Sequence, residues 1–419
     1  MRKNEQVLLM ALVTTALVVR LVSIYEYGPS VIKFGDAPDY FSAATSLCSS
    51  ASYPDRGSMP FFRAPGLPFF IAAVTLCHTE MVWPVKAALA VLDTMSVALV
   101  FLLAHELFRD WLLSVLSAAG AAIYPFFVAQ VCDVQTEGLF MFFFLASIWL
   151  TLRAVRSPVP TLMFAAGICA GVATLVRPIG LVLLPLLAAT PIYLGAAQTK
   201  YRIQLLASFA IGATICLGPW VIRNGFRYHE FILVNDAGGY NFWRGTSAEM
   251  AEIDRLADRR AFMAGSIRFE TVTSPAIARE IDNVAKTPSD RNREWYQRAF
   301  RNFAKNPRAF GLRVARNAFV YWRPWLNPQT YSRAVVCCER IYDAVPRRLR
   351  FYWLGSLAET RRAACVVVRC MCAVVLDSAN SISSSESLQD SDHGPVFDHP
   401  CRCVAYGHPE TTVDRRSTP

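Results

Sequence analysis

The chain has 419 residues, of which 54% are hydrophobic and 18% are charged. Soluble domains carry about 25% charged residues, so this composition excludes an ordinary soluble protein and indicates an integral membrane protein. The formal net charge of +10 does not indicate a nucleic-acid partner, because Lys and Arg beside membrane helices set topology.

The first apolar run, residues 7–25, is long enough to span a bilayer. It lacks the small-residue cleavage site of a signal peptide, so we predict a membrane anchor. Arg2 and Lys3 precede it and place the N-terminus in the cytoplasm by the positive-inside rule. The segment that follows, residues 26–83, should therefore form the first outer loop.

Two carboxylates lie three residues apart in this loop, within residues 35–40 (GDAPDY). Gly35 and Pro38 argue against an uninterrupted helix through the pair. Asp36 and Asp39 should therefore lie in a loop or at a helix N-terminus, where Asp is a favoured cap. Two interpretations remain open at this point, namely helix capping and a catalytic carboxylate at a membrane surface.

Further along the same loop, residues 61–68 (FFRAPGLP) lead into a short apolar stretch, residues 67–77. This stretch is too short to span comfortably, so we predict an interfacial or re-entrant helix. Arg63 lies just before it, on the same predicted side of the membrane as the two carboxylates.

Six further apolar segments complete a predicted bundle of seven spans within residues 1–222. These segments are residues 85–107, 112–129, 138–152, 161–176, 180–197 and 203–222. Because consecutive spans alternate in direction, eight polar side chains should lie together at the outer face. They are Asp36, Asp39, Arg63, Asp133, Glu137, Arg177, Arg223 and Asn224. Polar residues at span ends are functional candidates, and the alternative for each is an anchor that snorkels to the interface.

The chain changes character after the last strong span. Residues 223–310 are polar and mixed in charge, and we predict an outer-face soluble segment with helices over 248–260 and 276–286. Residues 311–326 are a weak additional membrane segment that Arg316 interrupts. Residues 327–419 are rich in Arg, Cys and Ser, and their low-complexity composition predicts a disordered tail.

Cysteines offer little guidance to the fold. Seven of the 12 lie from Cys337 onward, and the five earlier ones form no CxxC motif. We predict that those five are small apolar packing residues: Cys48, Cys77, Cys132, Cys169 and Cys216. In the tail, Cys401 and Cys403 lie near His399 and His408, but without a second paired motif this is a weak zinc signal. We assign no metal ligands and leave open a divalent cation at the site.

Five stretches, in their order and spacing, resemble the bacterial integral-membrane glycosyltransferases of the GT-C fold. The stretches are residues 35–40 (GDAPDY), 62–68 (FRAPGLP), 175–181 (LVRPIGL), 218–224 (GPWVIRN) and 235–245 (NDAGGYNFWRG). The dolichyl-phosphate-mannose protein mannosyltransferases and the aminoarabinose transferase of lipid A are the most similar members. The resemblance covers residues 5–325, and residues 136–140 (TEGLF) look like the family's acidic start to the fourth span.

This resemblance implies an all-α polytopic membrane protein, a GT-C-like transmembrane helix bundle with an outer-face loop domain. It implies a sugar donor on a polyprenyl phosphate and a lipid, glycan or protein acceptor, with the lipid bilayer as surroundings. It also implies the bacterial inner membrane, with an active site that faces the periplasm or exterior.

The resemblance also assigns roles within the site. An Asp of the first outer loop acts at the acceptor, and the Asp-x-x-x-Tyr pattern places that role on Asp36 rather than Asp39, with Tyr40 as the tyrosine. Basic residues hold the donor phosphate, and Arg177 and Arg223 match those positions best. Arg63 is a third basic candidate, and the other candidates are Asp133, Glu137 and Asn224.

Elementary chemistry supports the same roles. An acceptor hydroxyl needs a base, and a carboxylate with its usual pKa near 4 stays ionised at neutral pH. The leaving lipid phosphate gains charge, which an Arg can stabilise through two parallel hydrogen bonds.

Aromatic residues leave two questions open. Phe140, Phe142, Phe143 and Phe144 could line a groove for the polyprenyl tail or face lipid as ordinary apolar bulk. Tyr240 and Trp243, beside two glycines, could stack on a sugar or anchor the chain at the interface.

Two rival functions are considered. A transporter or flippase of lipid-linked substrates would also place Asp and Arg in a bundle, but such proteins tend to show internal repeats and broken helices at the bilayer midplane. The sequence shows no repeat. A catalytically degenerate scaffold is the second rival, because relatives usually continue with several more strong spans, whereas here Cys, Arg and Ser take over after about Trp325. This break predicts truncation or a shifted reading frame.

Overall fold

The computed structural model describes residues 3–32, 36–55, 61–194, 198–247 and 275–321. These parts of the chain form 14 helices and contain no strand. The predicted all-α membrane architecture is therefore confirmed.

Four helices are long and apolar enough to cross a membrane: α1 (Lys3–Tyr27), α4 (Val82–Phe108), α7 (Thr136–Arg156) and α10 (Thr199–Tyr228). A fifth span results if α5 (Trp111–Ile123) and α6 (Pro125–Cys132), which meet at a bend of 42°, are counted together. The bend lies at a proline, which has no N–H with which to continue the helix.

Two shorter apolar helices complete the set, α8 (Pro160–Val176) and α9 (Gly180–Tyr193). At about 1.5 Å per residue they are roughly 25 and 21 Å long, somewhat short of a hydrocarbon core of about 30 Å. A helix or bent helix pair is thus found at each of the seven predicted spans, although these two fall below the usual length.

Small residues let the backbones of α8 and α10 pack closely. A Cβ atom at Gly167 would lie 2.1 Å from the carbonyl oxygen of Phe209, so a larger residue would force the helices apart. Close approach through small residues is the usual way for membrane helices to gain packing energy.

A buried ion pair joins α1 to α4. The Nε of Arg20 donates to the Asp93 carboxylate, and neither side chain reaches solvent. Arg20 Nη1 also donates to the carbonyls of Ala16 and Ala122, at 3.0 Å each. Gln130 on α6 donates to the other oxygen of Asp93 at 3.0 Å. None of these residues belongs to a motif that the sequence shows.

The C-terminal ends of α4 and α7 are tied together at the other end of the bundle. Glu106 on α4 accepts from Arg156 on α7, and Arg109 approaches the same carboxylate at 3.5 Å. Two parallel helices that end beside arginines agree with the predicted direction of these spans.

The predicted outer segment contains α11 (Gly238–Thr246), α12 (Pro275–Val284) and α13 (Pro288–Lys305), followed by α14 (Pro307–Tyr321). Helix α12 confirms the predicted helix over 276–286, whereas the one over 248–260 lies outside the described residues. Helix α14 covers the described part of the weak segment 311–326 and is not among the helices apolar enough to span. The tail, residues 327–419, also lies outside the described residues.

The predicted first outer loop holds two short helices, α2 (Ala37–Ser50) and α3 (Gly66–Val74), and a disulfide joins their C-terminal regions. Cys48 lies on α2, and Cys77 follows α3. The sequence interpretation of these two cysteines as packing residues was therefore wrong. The spacing of 29 residues carries no motif, and only the packing of α2 beside α3, with their C-terminal ends together, brings the two thiols into contact. Cys169 and Cys216 remain thiols.

We expect the Cys48–Cys77 disulfide to stabilise the loop. Closing a loop of about 30 residues lowers the entropy of the unfolded chain and contributes about 3–4 kcal/mol. Cys48→Ser should therefore lower the thermal midpoint of the purified protein in detergent, and a reductant should lower wild type to the same value. Cys169→Ser is the control and should respond to reductant like wild type. Equal sensitivity of wild type and Cys48→Ser to reductant would contradict the expectation.

Candidate active site

The two carboxylates of the first loop lie at the start of α2. Asp36 occupies the N-cap position and Asp39 the first turn, with Pro38 between them. A proline fits there because the first N–H groups of a helix have no partner within the helix. The side chain of Asp36 makes no capping hydrogen bond. Asp36 therefore does not cap the helix through its side chain.

Arg63 holds both carboxylates instead. Its Nη2 lies 2.8 Å from Asp36 Oδ1 and 2.9 Å from Asp39 Oδ2, and its Nε donates to the same Asp39 oxygen at 3.0 Å. The side chains of Arg63 and Asp39 are 9% and 11% exposed, whereas that of Asp36 is 37% exposed. Asp36 is thus the more accessible of the two carboxylates, and Asp39 contacts the guanidinium from a more buried position.

The charge state of Arg63 follows from its neighbours. Burial by itself lowers the pKa of the guanidinium, but the charges of Asp36 and Asp39 and the hydrogen bond to Asp39 outweigh it and raise the pKa above its usual value. Arg63 therefore remains a cation between two anions.

Tyr40 lies beside this cluster on the buried face of α2. The Cζ of Arg63 is 5.7 Å from the centroid of its ring. Burial first, and then the charge of Asp36, raise the pKa of the Tyr40 phenol, while Arg63 and Arg177 act in the opposite direction. The phenol therefore stays protonated at neutral pH and can donate a hydrogen bond, but it cannot serve as a base.

A second ion pair connects α7 to the end of α8. Arg177 Nη1 lies 2.6 Å from Glu137 Oε1 and 2.8 Å from Thr136 Oγ1. The side chain of Glu137 is buried, and it stands in the first turn of α7, where the helix dipole favours a negative charge. The charge of Arg177 is thus largely balanced within the protein.

A glycine brings the two ion pairs together. Gly66 begins α3, three residues after Arg63, and a Cβ atom there would lie 2.7 Å from the backbone nitrogen of Val176. Val176 immediately precedes Arg177. The close approach of α3 to α8 therefore requires a glycine at this position and sets the two arginines at one end of the bundle.

Arg223, near the end of α10, lies among aromatic rings. Its Cζ is 5.0 Å from the ring centroid of Trp220, 5.3 Å from that of Tyr228 and 5.8 Å from that of Tyr53. It donates to Asn224 Oδ1, the Tyr228 hydroxyl and the Tyr53 carbonyl, at 3.0, 3.3 and 3.1 Å. Within the described residues it forms no direct ion pair with a carboxylate, and Asp55 interacts with its charge from the far side of the Tyr228 hydroxyl.

Tyr53 links Arg223 to Arg63. Its hydroxyl donates to the Arg63 carbonyl at 2.9 Å, while its own carbonyl accepts from Arg223. Nearby, Asp55 accepts from Arg227 and from the Tyr228 hydroxyl at 2.6 and 2.9 Å. Burial by itself raises the pKa of Asp55, but these hydrogen bonds lower it below its usual value. Sequence reasoning missed Tyr53 and Asp55, because single polar residues in a loop carry no pattern.

The remaining candidates have structural surroundings. Asp133 is buried at the end of α6, before the turn that starts α7. Asn224 is buried and donates to the Ile232 carbonyl at 2.9 Å. Within the described residues, neither Asp133 nor Asn224 is hydrogen-bonded to Asp36. The structure therefore assigns Asn224 to the fold of the segment that follows α10.

Several aromatic predictions need correction. Tyr240 and Trp243 are buried, and both rings pack against Trp295 of α13, with centroids 5.1 and 4.7 Å away. They form the core of the outer segment and are neither a sugar platform nor an interfacial anchor. Phe140 and Phe144 stack on each other inside the bundle, whereas Phe142 and Phe143 are half-buried. The first two are thus core residues rather than groove or lipid-facing residues.

A divalent cation fits this arrangement poorly. Asp36 and Asp39 both engage Arg63, so a guanidinium lies where a metal would bridge them. Within the part of the chain that the structure describes, no group of three or more His, Cys, Asp or Glu side chains is placed to hold a metal. The tail residues His399, Cys401, Cys403 and His408 lie outside that part.

Comparison with known proteins identifies the kind of fold. Residues 62–222 match the family model described as dolichyl-phosphate-mannose-protein mannosyltransferase. The chain has a GT-C fold, and this segment of it is mannosyltransferase-like in sequence. The mannosyltransferase-like segment contains Arg63, Glu137 and Arg177, and it ends directly before Arg223. No curated protein matches the sequence.

Solved structures agree at the level of the fold. The oligosaccharyltransferase AglB from Archaeoglobus fulgidus, in complex with an inhibitory peptide and a dolichol-phosphate, matches with a TM-score of 0.50 and 11% identity. The match covers 92% of this chain and 49% of AglB, so the chain spans about half the length of that relative.

Two structures of ArnT from Cupriavidus metallidurans also match. One is bound to undecaprenyl phosphate, with a TM-score of 0.41 and 15% identity, and the other is in the apo state, with a TM-score of 0.40 and 16% identity. Each match covers 90% of this chain and 75% of the ArnT chain.

Proposed function

We propose that the chain is an integral-membrane glycosyltransferase that moves a sugar from a polyprenyl-phosphate donor to a hydroxyl of a lipid, glycan or protein acceptor. The observation that carries the proposal is the pairing of an accessible carboxylate, Asp36, with two guanidinium groups in one connected cluster, Arg63 and Arg223. The mannosyltransferase-like sequence of residues 62–222 supports it, and so does the dolichol-phosphate bound to AglB, whose fold this chain shares.

We assign the acceptor step to Asp36. The acceptor hydroxyl would hydrogen-bond to the Asp36 carboxylate, which takes its proton as the new bond to the anomeric carbon forms. The bond between that carbon and the phosphate oxygen breaks, and its electron pair leaves with the lipid phosphate. Arg63 would hold the carboxylate in place, and the protonated Tyr40 could donate to the departing or entering oxygen.

We assign the main phosphate contact to Arg223. A guanidinium has five N–H donors, and three of them are used by Asn224, Tyr228 and the Tyr53 carbonyl. Two donors are left for phosphate oxygens, and no carboxylate of the described chain forms a direct ion pair with this guanidinium. Arg177 already pairs with Glu137, so its contribution to phosphate binding should be smaller.

We further propose that this site faces the periplasm at the bacterial inner membrane. Disulfides such as Cys48–Cys77 form in oxidising compartments, which favours an outer position for the first loop. Arg109, Arg153 and Arg156 gather where α4 and α7 end, as the positive-inside rule expects of a cytoplasmic end.

The phosphate contact can be tested by replacing each arginine with lysine, which keeps the charge and removes the planar fork. Charge-assisted hydrogen bonds are worth about 1.5–3 kcal/mol, so Arg223→Lys should weaken binding of undecaprenyl phosphate about 10- to 100-fold. Arg177→Lys should have a smaller effect. Undecaprenyl phosphate would be titrated against the purified protein in detergent to measure its Kd. The donor KM would be measured separately with a panel of radiolabelled lipid-phosphate sugars.

Arg293→Lys supplies the matched control, because Arg293 is exposed on α13 and makes a surface ion pair with Asp290. It should bind undecaprenyl phosphate as wild type does. Unchanged binding in both Arg177→Lys and Arg223→Lys would mean that these arginines only anchor their helices. Tight binding without transfer to any acceptor would favour the degenerate-scaffold alternative.

The transporter or flippase alternative rests on one observation, the buried Arg20–Asp93 pair, because charged groups inside a bundle often mark a transport path. A dithionite-quenching assay with a fluorescent polyprenyl phosphate in proteoliposomes separates the two functions. Protein-dependent flipping without sugar transfer would favour the transporter.

A further inference from the structure

Asp236 connects the outer segment to the loop that carries Arg63. It lies between α10 and α11 and is buried. Its Oδ1 accepts the backbone N–H of Phe62 at 3.1 Å, and its Oδ2 is 3.3 Å from Arg291 Nη1 on α13. The two oxygens of one carboxylate thus join residues that are far apart in the sequence.

The contact continues into the outer segment. Arg291 is also buried, and its Nε lies 3.7 Å from a carboxylate oxygen of Asp282 on α12. Beside this polar chain, the ring of Phe61 packs against Tyr240, with centroids 5.4 Å apart. The outer segment therefore holds two consecutive loop residues. It contacts Phe61 through the side chain and Phe62 through the backbone N–H.

These contacts bear on the site because Phe62 immediately precedes Arg63. Asp236 fixes the backbone on the N-terminal side of Arg63, and the Tyr53 hydroxyl fixes its carbonyl. Between the two anchors, the Arg63 side chain extends to Asp36 and Asp39. A shift of this backbone would move the guanidinium away from both carboxylates.

We propose that Asp236 is a positioning residue that holds Arg63 in register with Asp36 and Asp39, and that Arg291 orients Asp236. Asp236 contacts none of the reacting groups and acts through Arg63. The role of the outer segment is then to brace the first loop. The effect on activity rests on the proposed transferase function, whereas the effect on the loop does not.

Two variants of Asp236 separate positioning from general stability. Asp236→Asn keeps an oxygen that can accept the Phe62 N–H, whereas Asp236→Ala removes the acceptor. Small misplacements at an active site can cost about 100-fold in rate. We expect Asp236→Ala to lower kcat by about that factor with little change in donor KM, and Asp236→Asn to recover most of the loss.

A double-mutant cycle gives the decisive activity readout. Groups that act through a shared partner show non-additive effects. Because Asp236 acts through Arg63, Asp236→Ala should cost little further activity in an Arg63→Ala background. Arg298→Gln breaks a different ion pair of α13, the one with Glu280, and serves as the control that should leave kcat unchanged.

Hydrogen–deuterium exchange tests the loop without any substrate. Peptides that cover residues 61–65 should exchange faster in Asp236→Ala than in wild type, Asp236→Asn or Arg298→Gln. If the wild-type protein transfers no sugar, the proposed transferase function is wrong. The exchange measurement still tests whether Asp236 holds the loop, because it needs no substrate. Additive effects in the cycle, or unchanged exchange in Asp236→Ala, would overturn the proposal.

Discussion

Asp36→Asn is expected to lower the rate of sugar transfer by about 100- to 10,000-fold, the usual cost of losing a general base. Asparagine preserves the shape of the side chain and can still accept from Arg63, but it cannot take a proton. Because Asp36 is partly exposed and lies outside the core, the amount of folded protein should stay near normal. Single-turnover transfer from a labelled lipid-phosphate sugar would measure the chemical step directly.

Asp39→Asn is the matched variant, since Asp39 contacts the same guanidinium from a more buried position. It should reduce transfer less, by loosening Arg63. Full activity of Asp36→Asn beside an inactive Asp39→Asn would exchange the two roles. If both variants are active, the base must be sought at Asp133 or Glu137, and Glu137→Gln is the next variant to measure.

The gathering of the site at one end of the bundle could be predicted from sequence because it follows from two simple facts. Apolar segments of spanning length alternate in direction, and basic residues mark the cytoplasmic ends. Residues as distant as Asp36 and Arg223 then fall on one side without any knowledge of packing. The structure adds which side chains contact each other, such as Arg63 with Asp36.

Other features could not be predicted because they depend on pairs of residues with no shared motif. Cys48 and Cys77 meet only through the packing of α2 on α3. From sequence alone, Tyr240 and Trp243 are interpreted as surface aromatics beside two glycines. Their burial depends on α13, some 50 residues further along the chain. A hydropathy trace cannot reveal Arg20, because one charge in a long apolar run does not prevent it from spanning.

Removal of one member of the Arg20–Asp93 pair should destabilise the bundle strongly. Breaking a buried ion pair leaves an uncompensated charge and typically costs about 3–5 kcal/mol. Asp93→Leu should therefore lower the thermal midpoint and the yield of folded protein in detergent. Arg293→Met, which breaks an exposed pair on α13, should cost less than about 1 kcal/mol and serves as the control.

The geometry around Arg20 indicates why the pair is present. The helix bends between α5 and α6, and carbonyls at the end of α5 lose their partners there. Within a bilayer such groups must be satisfied by the protein, and Arg20 Nη1 donates to the carbonyl of Ala122 one turn before the bend. Asp93 then balances the charge that Arg20 brings into the bundle.

The double variant Arg20→Met with Asp93→Leu distinguishes an architectural pair from a functional one. Replacing both members of a buried pair by apolar residues of similar size is often neutral or stabilising, so most of the stability lost in Asp93→Leu should return. Some deficit should remain, because the Ala122 carbonyl and the Gln130 amide each lose a partner. A double variant as unstable as Asp93→Leu would contradict this account. Recovered folding with normal sugar transfer but abolished lipid flipping would instead assign the pair to transport.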